Sequence, residues 1–157
     1  MGKEIERKFL VKPDTVMSQQ ADRSVKIIQG YLSTDPAATV RIRVVGNKGV
    51  ITVKGKTNGI ERSEWEYEIP AVDAEEMLEQ CSNKEVTVIK KTRYYCGRWE
   101  IDEYHGDLNG LVTAEIELSS PEEKIDLPDW IDKEVSDDPR YFNSMLARFG
   151  LPDKQIS

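Results

Sequence analysis

The residues with the most chemistry to offer stand at the start of the chain, in Glu4-Ile5-Glu6-Arg7-Lys8. Read with a period of two, Glu4, Glu6 and Lys8 share one strand face. Ile5, Phe9 and Val11 share the other, with Arg7 among them. A face of two acids and a base is costly to bury unless the charges meet a ligand or one another. The same pattern returns along the chain. Arg41 and Arg43, Lys54 beside Thr52, and Lys91 with Arg93 are basic faces. Glu64 with Glu66, Asp102 beyond Glu100, and Glu115 with Glu117 are acidic ones. An exposed antiparallel sheet also has a polar face, but an ordinary one mixes hydroxyls, amides and charges. Here the sign is sorted strand by strand, and like charges two residues apart repel unless opposite charge lies between them. Converging Lys and Arg side chains suit a small polyanion, because Arg grips phosphate oxygens with two donors at once. Carboxylates beside such an anion call for cations, and oxygen donors without His or Cys favour Mg²⁺ or Mn²⁺ over zinc. A phosphate chain with hard metal ions is the equipment of phosphoryl transfer.

The elements that must position these groups read mostly as strands. Residues 3–12 form the first, stopped by Pro13, and Asp14 or Thr15 is placed to cap a short helix running to about Asp22. Strands follow over residues 25–32, 39–45, 50–56 and 62–69, with turns at Asp35-Pro36, Gly46-Asn47-Lys48-Gly49 and Thr57-Asn58-Gly59. After Pro70, residues 72–80 read as a helix with Asp73 as N-cap. Residues 85–96, 98–104 and 111–118 make three more strands. Residues 126–135 look irregular, anchored by Trp130 and Ile131. Asp137-Asp138-Pro139 opens a last helix whose apolar stripe is Tyr141, Met145, Leu146 and Phe149, ending at Gly150; residues 153–157 read as a frayed tail. The expectation is one mainly-β, α+β domain over residues 1–157, with an ordered core of about 2–151. Eight antiparallel strands closed into a barrel would gather the charged faces in its lumen and turn Val, Ile, Trp and Tyr outward under a few flanking helices.

Composition narrows the function classes. The 157 residues carry a net charge of -7, which disfavours binding to nucleic acid or an anionic membrane through the overall field. No apolar run is long enough to span a bilayer, no segment reads as a signal peptide, and Cys81 and Cys96 have no CxxC spacing. A cytoplasmic location with reduced thiols is expected. With His105 as the single histidine, a His-rich zinc site and a Ser-His-Asp triad are disfavoured. There is no Walker A or Gly-rich phosphate loop. A contact between copies of the chain through Trp65, Tyr67 or Trp99, giving a homodimer, stays open.

The ordered set Glu4-x-Glu6-x-Lys8, Arg41-x-Arg43, Thr52-x-Lys54-Gly55, Arg62-x-Glu64-x-Glu66, Lys91-x-Arg93, Asp102 and Glu115-x-Glu117 resembles the CYTH superfamily, the triphosphate tunnel metalloenzymes. The segment from Glu134-Val135-Ser136 to Tyr141 and Asn143 is similar to the C-terminal part of small bacterial members. The resemblance implies an eight-stranded tunnel binding triphosphate compounds with divalent metal. It implies that Lys8, Arg41, Arg43, Lys54, Lys91 and Arg93 hold phosphates. Glu4, Glu6, Glu64, Glu66, Asp102, Glu115 and Glu117 would hold metal, directly or through water. Glu4, Glu6, Lys8 and Tyr31 would stand nearest the reacting groups; Lys56, Glu68 and Glu100 extend the charged faces without being required. Inorganic tripolyphosphate is the first expected substrate and thiamine triphosphate the second. Cyclisation of ATP by a class IV adenylate cyclase follows, disfavoured by the short lead-in Met1-Gly2-Lys3 without a His-Phe pair. A non-catalytic polyphosphate-binding module comes last, because it could have lost the acids.

Overall fold

The computed structural model describes residues 2–81 and 86–154. Eight antiparallel strands close into a barrel: β1 (Gly2–Val11), β2 (Arg23–Ser33), β3 (Thr39–Val45), β4 (Lys48–Asn58), β5 (Glu61–Ile69), β6 (Ile89–Cys96), β7 (Trp99–Tyr104) and β8 (Val112–Glu117). Around the ring the order is β5-β4-β3-β2-β6-β7-β8-β1, and β1 pairs with β5 to complete it. Hairpins make most neighbours. The β3–β4 turn puts Gly46 at φ 60° and the β6–β7 turn puts Gly97 at φ 58°, conformations that glycine reaches without a Cβ penalty.

Closure depends on β1, which changes partner along its length. Residues 2–5 pair with β5. Residues 6–10 pair with β8. Its far end pairs with β9 (Ile131–Glu134), a ninth strand outside the ring. The stretch expected to be irregular therefore contains a strand, because the edge of β1 left by β5 needs hydrogen-bond partners.

Alternation sends apolar side chains outward, where Phe9, Trp99, Ile101, Ala114, Ile116 and Ile131 form one core against the loops flanking β1 and β8. Trp99 meets Phe9 and Trp130 edge-on, at centroid distances of 5.6 and 5.7 Å. Tyr31, Ile89, Tyr104, Leu108 and Leu146 build a second core at the C-terminal segment. Helix α1 (Ala71–Gln80) lies over β4, β3 and β2, with Ala74 fully buried. Trp99 is core, whereas Tyr67 is 60% exposed.

The local corrections have local causes. The short helix expected through Asp22 is a single 3-10 turn, Met17–Gln19, preceded by Asp14 at φ 70°. Helix α1 starts at Ala71, with Pro70 as N-cap and Asp73 in the first turn. The sixth strand starts at Ile89, since Thr87 N–H is drawn to the Ala147 carbonyl instead; its expected start at Glu85 lies outside the described residues. The last helix splits. Asp138 accepts from Arg140 N–H and opens a 3-10 turn, Pro139–Tyr141; extended Phe142 follows, then α2 (Asn143–Phe149), closed by Gly150 at φ 79°. Residues 152–154 form a further 3-10 turn, and the rest of the expected tail lies outside the described residues. Among the described residues no helix is long and apolar enough to cross a membrane.

Candidate active site

The inward faces of the barrel enclose a cavity of about 280 Å³. Alternation on β1 sends Glu4, Glu6 and Lys8 into it; β3 sends Arg41 and Arg43, and β4 sends Lys54. Glu64 and Glu66 arrive from β5, Arg93 from β6, and Glu115 and Glu117 from β8. Buried Tyr31 enters from β2, paired across the sheet with Arg41. The cross-strand register sets opposite charges against one another. Lys54 faces Glu64, Lys8 faces Glu115, and Arg93 faces Asp102.

Lys54 Nζ donates to both oxygens of Glu4, at 2.9 and 3.1 Å, and lies 3.5 Å from Glu64. Burial alone would push the Glu4 carboxyl up, but Lys54 holds it below the ordinary value. Lys8 Nζ stands 3.4 Å from Glu115 and donates to the Tyr141 carbonyl at 2.8 Å. Glu115 is likewise pushed up by burial and pulled down to about 2 by Lys8. Glu6 has no cation at ion-pair distance among the described residues, and the more distant pull of Lys54 is weaker than the effects that oppose it. Burial, with Glu115 and Glu4 close by, pushes its carboxyl well above the usual range, so it tends to hold a proton. Glu64 is raised to about 7, by burial and by Glu4.

The basic side is under-paired. Arg43 Nη2 reaches Glu66 at 3.2 Å, and burial with Arg41 and Arg93 nearby lowers its guanidinium to about 10. Arg41 Nη2 makes a 3.5 Å contact to Thr52 Oγ1, whose own proton goes to Glu66 at 2.9 Å. Among the described residues, the buried Nε atoms of Arg41 and Arg43 have no hydrogen-bond acceptor. Two adjacent guanidiniums, Arg43 buried and Arg41 half-buried, thus each keep a buried donor that an anion could engage.

Lys91 and Asp102 depart from the expectation. Both are buried and neither lines the cavity. Asp102 Oδ1 accepts from Arg93 Nε at 2.7 Å; its Oδ2 accepts from Arg93 Nη2 at 2.9 Å and lies 2.8 Å from Lys91 Nζ. Burial favours the neutral acid, but Arg93 and Lys91 hold Asp102 far below the carboxylate range. Burial also draws Lys91 down to about 7, against the pull of Asp102. A carboxylate with both oxygens engaged by cations is a poor metal ligand. Asp102 instead fixes the Arg93 fork and anchors Lys91 one layer behind the cavity.

A family model for the CYTH domain matches residues 2–142. The chain belongs to the CYTH family. The inorganic triphosphatase of Acetivibrio thermocellus is 47% identical over 152 residues, covering 94% of this chain and 95% of the relative. That of Nitrosomonas europaea is 33% identical over 155 residues, with 92% and 96% covered. The solved structure of the inorganic triphosphatase NE1496 superposes with a TM-score of 0.61 at 31% identity, covering 92% of this chain and 97% of that one.

The CYTH tunnel contains residues beyond those expected from the strand faces. Arg62 lines the cavity and braces its rim, donating to the Gly55 carbonyl at 2.6 Å and to Thr39 Oγ1 at 2.8 Å. Glu100 also lines it, 3.4 Å from Arg93 Nη1, while Lys56 and Glu68 are exposed outside it. Ser136, Phe142, Asn143 and Ser144 come from the C-terminal segment. Their alternation carries no strand signal, so spacing alone did not find them.

The donor set fits a hard divalent cation. Every acidic group facing the cavity offers oxygen, and the raised carboxyls of Glu6 and Glu64 lack enough positive charge around them. Among the described residues no three acidic side chains converge closely enough to enclose an ion. A divalent cation here would be held by one or two carboxylates, with waters or phosphate oxygens completing its shell.

Proposed function

We propose that this protein is a divalent-metal-dependent hydrolase of triphosphate compounds, with inorganic tripolyphosphate as its first substrate and Mg²⁺ or Mn²⁺ as its cofactor. The observation that carries the reading is the pair of adjacent guanidiniums, Arg41 and Arg43, whose buried Nε atoms lack acceptors among the described residues and which face a row of carboxylates inside one closed barrel. The names of the two relatives agree with it.

In this reading Arg41, Arg43, Lys54, Arg93 and Lys8 bind and straighten the phosphate chain, while Lys91 acts from behind through Asp102 and Arg93. Glu4, Glu6, Glu64, Glu66, Glu115 and Glu117 are the groups that would hold metal, directly or through water. A bound divalent cation would neutralise phosphate charge and supply an activated water for in-line attack. Glu6 keeps or releases a proton according to the charge beside it, so it can adjust to a cation's arrival. Tyr31, buried next to Arg41, gives the chain a fixed wall to lie against. The closed barrel keeps these dipoles oriented before substrate arrives, which makes them effective on developing charge.

The test is phosphate release from tripolyphosphate, thiamine triphosphate and ATP, each with Mg²⁺, Mn²⁺ or EDTA. Fast metal-dependent release from tripolyphosphate is the expected result. A preference for thiamine triphosphate would move the substrate within the same chemistry. Cyclic AMP from ATP would replace hydrolysis by cyclisation, and metal-dependent binding without any product would leave a polyphosphate-binding module.

A further inference from the structure

The C-terminal segment puts one side chain where three donors converge. Asn143 Oδ1 accepts from Tyr104 OH at 2.9 Å, from Lys91 Nζ at 3.2 Å and from Gln29 Nε2 at 3.2 Å. Tyr104, Lys91 and Gln29 come from three different strands and are all fully buried. This convergence fixes which way the Asn143 amide points. Turned over, it would aim an NH₂ at the Lys91 ammonium, setting donor against donor. Gln29 is held to the same arrangement although its buried Oε1 is left without a partner among the described residues.

The other half of the amide is then committed too. Asn143 lines the cavity, and no acceptor among the described residues takes its Nδ2 protons. Ser144 in the first turn of α2 and Phe142 just before the helix also stand on the cavity wall. We propose that Asn143 is a further substrate-binding residue, whose Nδ2 donates to the phosphate group seated against the C-terminal segment while its Oδ1 positions Lys91. The proposal rests on the triphosphatase reading above. Its chemistry is a neutral, directional donor on the same cavity wall as the Lys8 charge, with Lys91 behind it. A neutral donor adds a hydrogen bond without further repulsion inside the cationic cluster.

Two isosteric replacements separate the halves of this role. Asn143→Asp keeps an acceptor for Gln29, Lys91 and Tyr104 but replaces the inward NH₂ by oxygen. Asn143→Leu removes both polar atoms without adding charge. Melting curves establish that each variant is folded, and tripolyphosphate binding is then titrated by calorimetry, alongside steady-state hydrolysis. Both variants are expected to bind tripolyphosphate about ten- to a hundredfold more weakly than the unaltered protein. In Asn143→Asp the loss should fall mainly on KM, since Lys91 stays anchored; in Asn143→Leu kcat should fall as well. Binding of tripolyphosphate by Asn143→Leu at the unaltered affinity would overturn the proposal, because a weakening confined to Asn143→Asp is a charge effect at a distance. If the unaltered protein itself neither binds nor cleaves tripolyphosphate, the triphosphatase reading fails first and this proposal with it. Loss of the proposal alone requires a working unaltered protein.

Discussion

At the residue scale the site is an exercise in unequal pairing. Glu4 and Glu115 each have a lysine at ion-pair distance and stay ionised, while Glu6, between them, has no such contact among the described residues and is pushed toward the protonated form. Replacing Glu6 by glutamine removes like-charge repulsion at a buried position and keeps the shape. The melting temperature of Glu6→Gln should therefore equal or exceed that of the unaltered protein, while turnover of tripolyphosphate falls by about a hundredfold or more. Near-normal turnover would remove Glu6 from the catalytic set. Glu4, Glu6, Lys8, Arg41, Arg43 and Lys54 could be read from the sequence because alternation reports which face a side chain occupies. Alternation does not report depth along the barrel. Lys91 and Asp102 sit on the correct face, yet one layer behind the cavity, and nothing in a period of two separates them from Arg93.

At the scale of elements, the barrel depends on close approach between β4 and the helix that covers it. A Cβ added at Gly49 would lie 2.8 Å from the Ala74 Cβ, 2.8 Å from the Ile69 carbonyl and 2.9 Å from the Pro70 carbonyl. Backbone oxygens cannot rotate aside, so Gly49→Ala must lift the start of α1. A loss of about 1–3 kcal/mol is expected, seen as a fall of roughly 3–10 °C in melting temperature. An unchanged melting curve would show that α1 is free to shift. The loop after β8 gives a second case. Glu123 accepts from Arg98 at 2.7 Å and from Ser119 N–H at 2.7 Å, and Arg98 also donates to the Glu117 carbonyl. The Arg98 guanidinium and Ser119 hold the Glu123 carboxyl down at about 2. A depressed carboxyl contributes stability above its unfolded value, near 4.5, and loses that contribution as pH falls toward 2. Glu123→Gln should therefore melt below the unaltered protein at pH 7, with the difference shrinking as pH drops below 4.5. A difference that does not depend on pH would mean that the carboxylate charge is irrelevant to the clamp. The eight strands of the ring were legible because each alternates. Strand β9 and the turn before α2 were not, because both answer a tertiary need: β9 covers the edge of β1 left by β5, and Asn143 is placed by donors from three distant strands.

For the whole molecule, the sorting of charge explains how a chain of net charge -7 can be built around a polyanion site. The surplus negative charge is spread over the surface and the acidic strand faces, while Lys and Arg from five strands meet inside, where low dielectric strengthens their pull on a phosphate chain. The same arrangement makes the empty barrel less stable than the filled one. Among the described residues the buried Nε atoms of Arg41 and Arg43 lack acceptors, and burial with neighbouring carboxylates outweighs the pull of Lys54 on Glu6 and Glu64. A ligand that supplies both signs together, tripolyphosphate with Mg²⁺ or Mn²⁺, relieves both deficits and binds only the folded chain. At a hundredfold excess over Kd it should add about 2.7 kcal/mol, a rise of roughly 5–10 °C in melting temperature. Tripolyphosphate with EDTA answers only the basic side, and the metal alone only the acidic side, so each should raise the melting temperature less than the pair. The shift with the pair should also exceed the sum of the two separate shifts, because each ligand removes the repulsion that the other would meet. Melting curves in the four conditions decide the matter. Equal curves in all four would mean that the charged interior is satisfied by its own ion pairs, and the barrel would then be a scaffold rather than a receptor for a triphosphate.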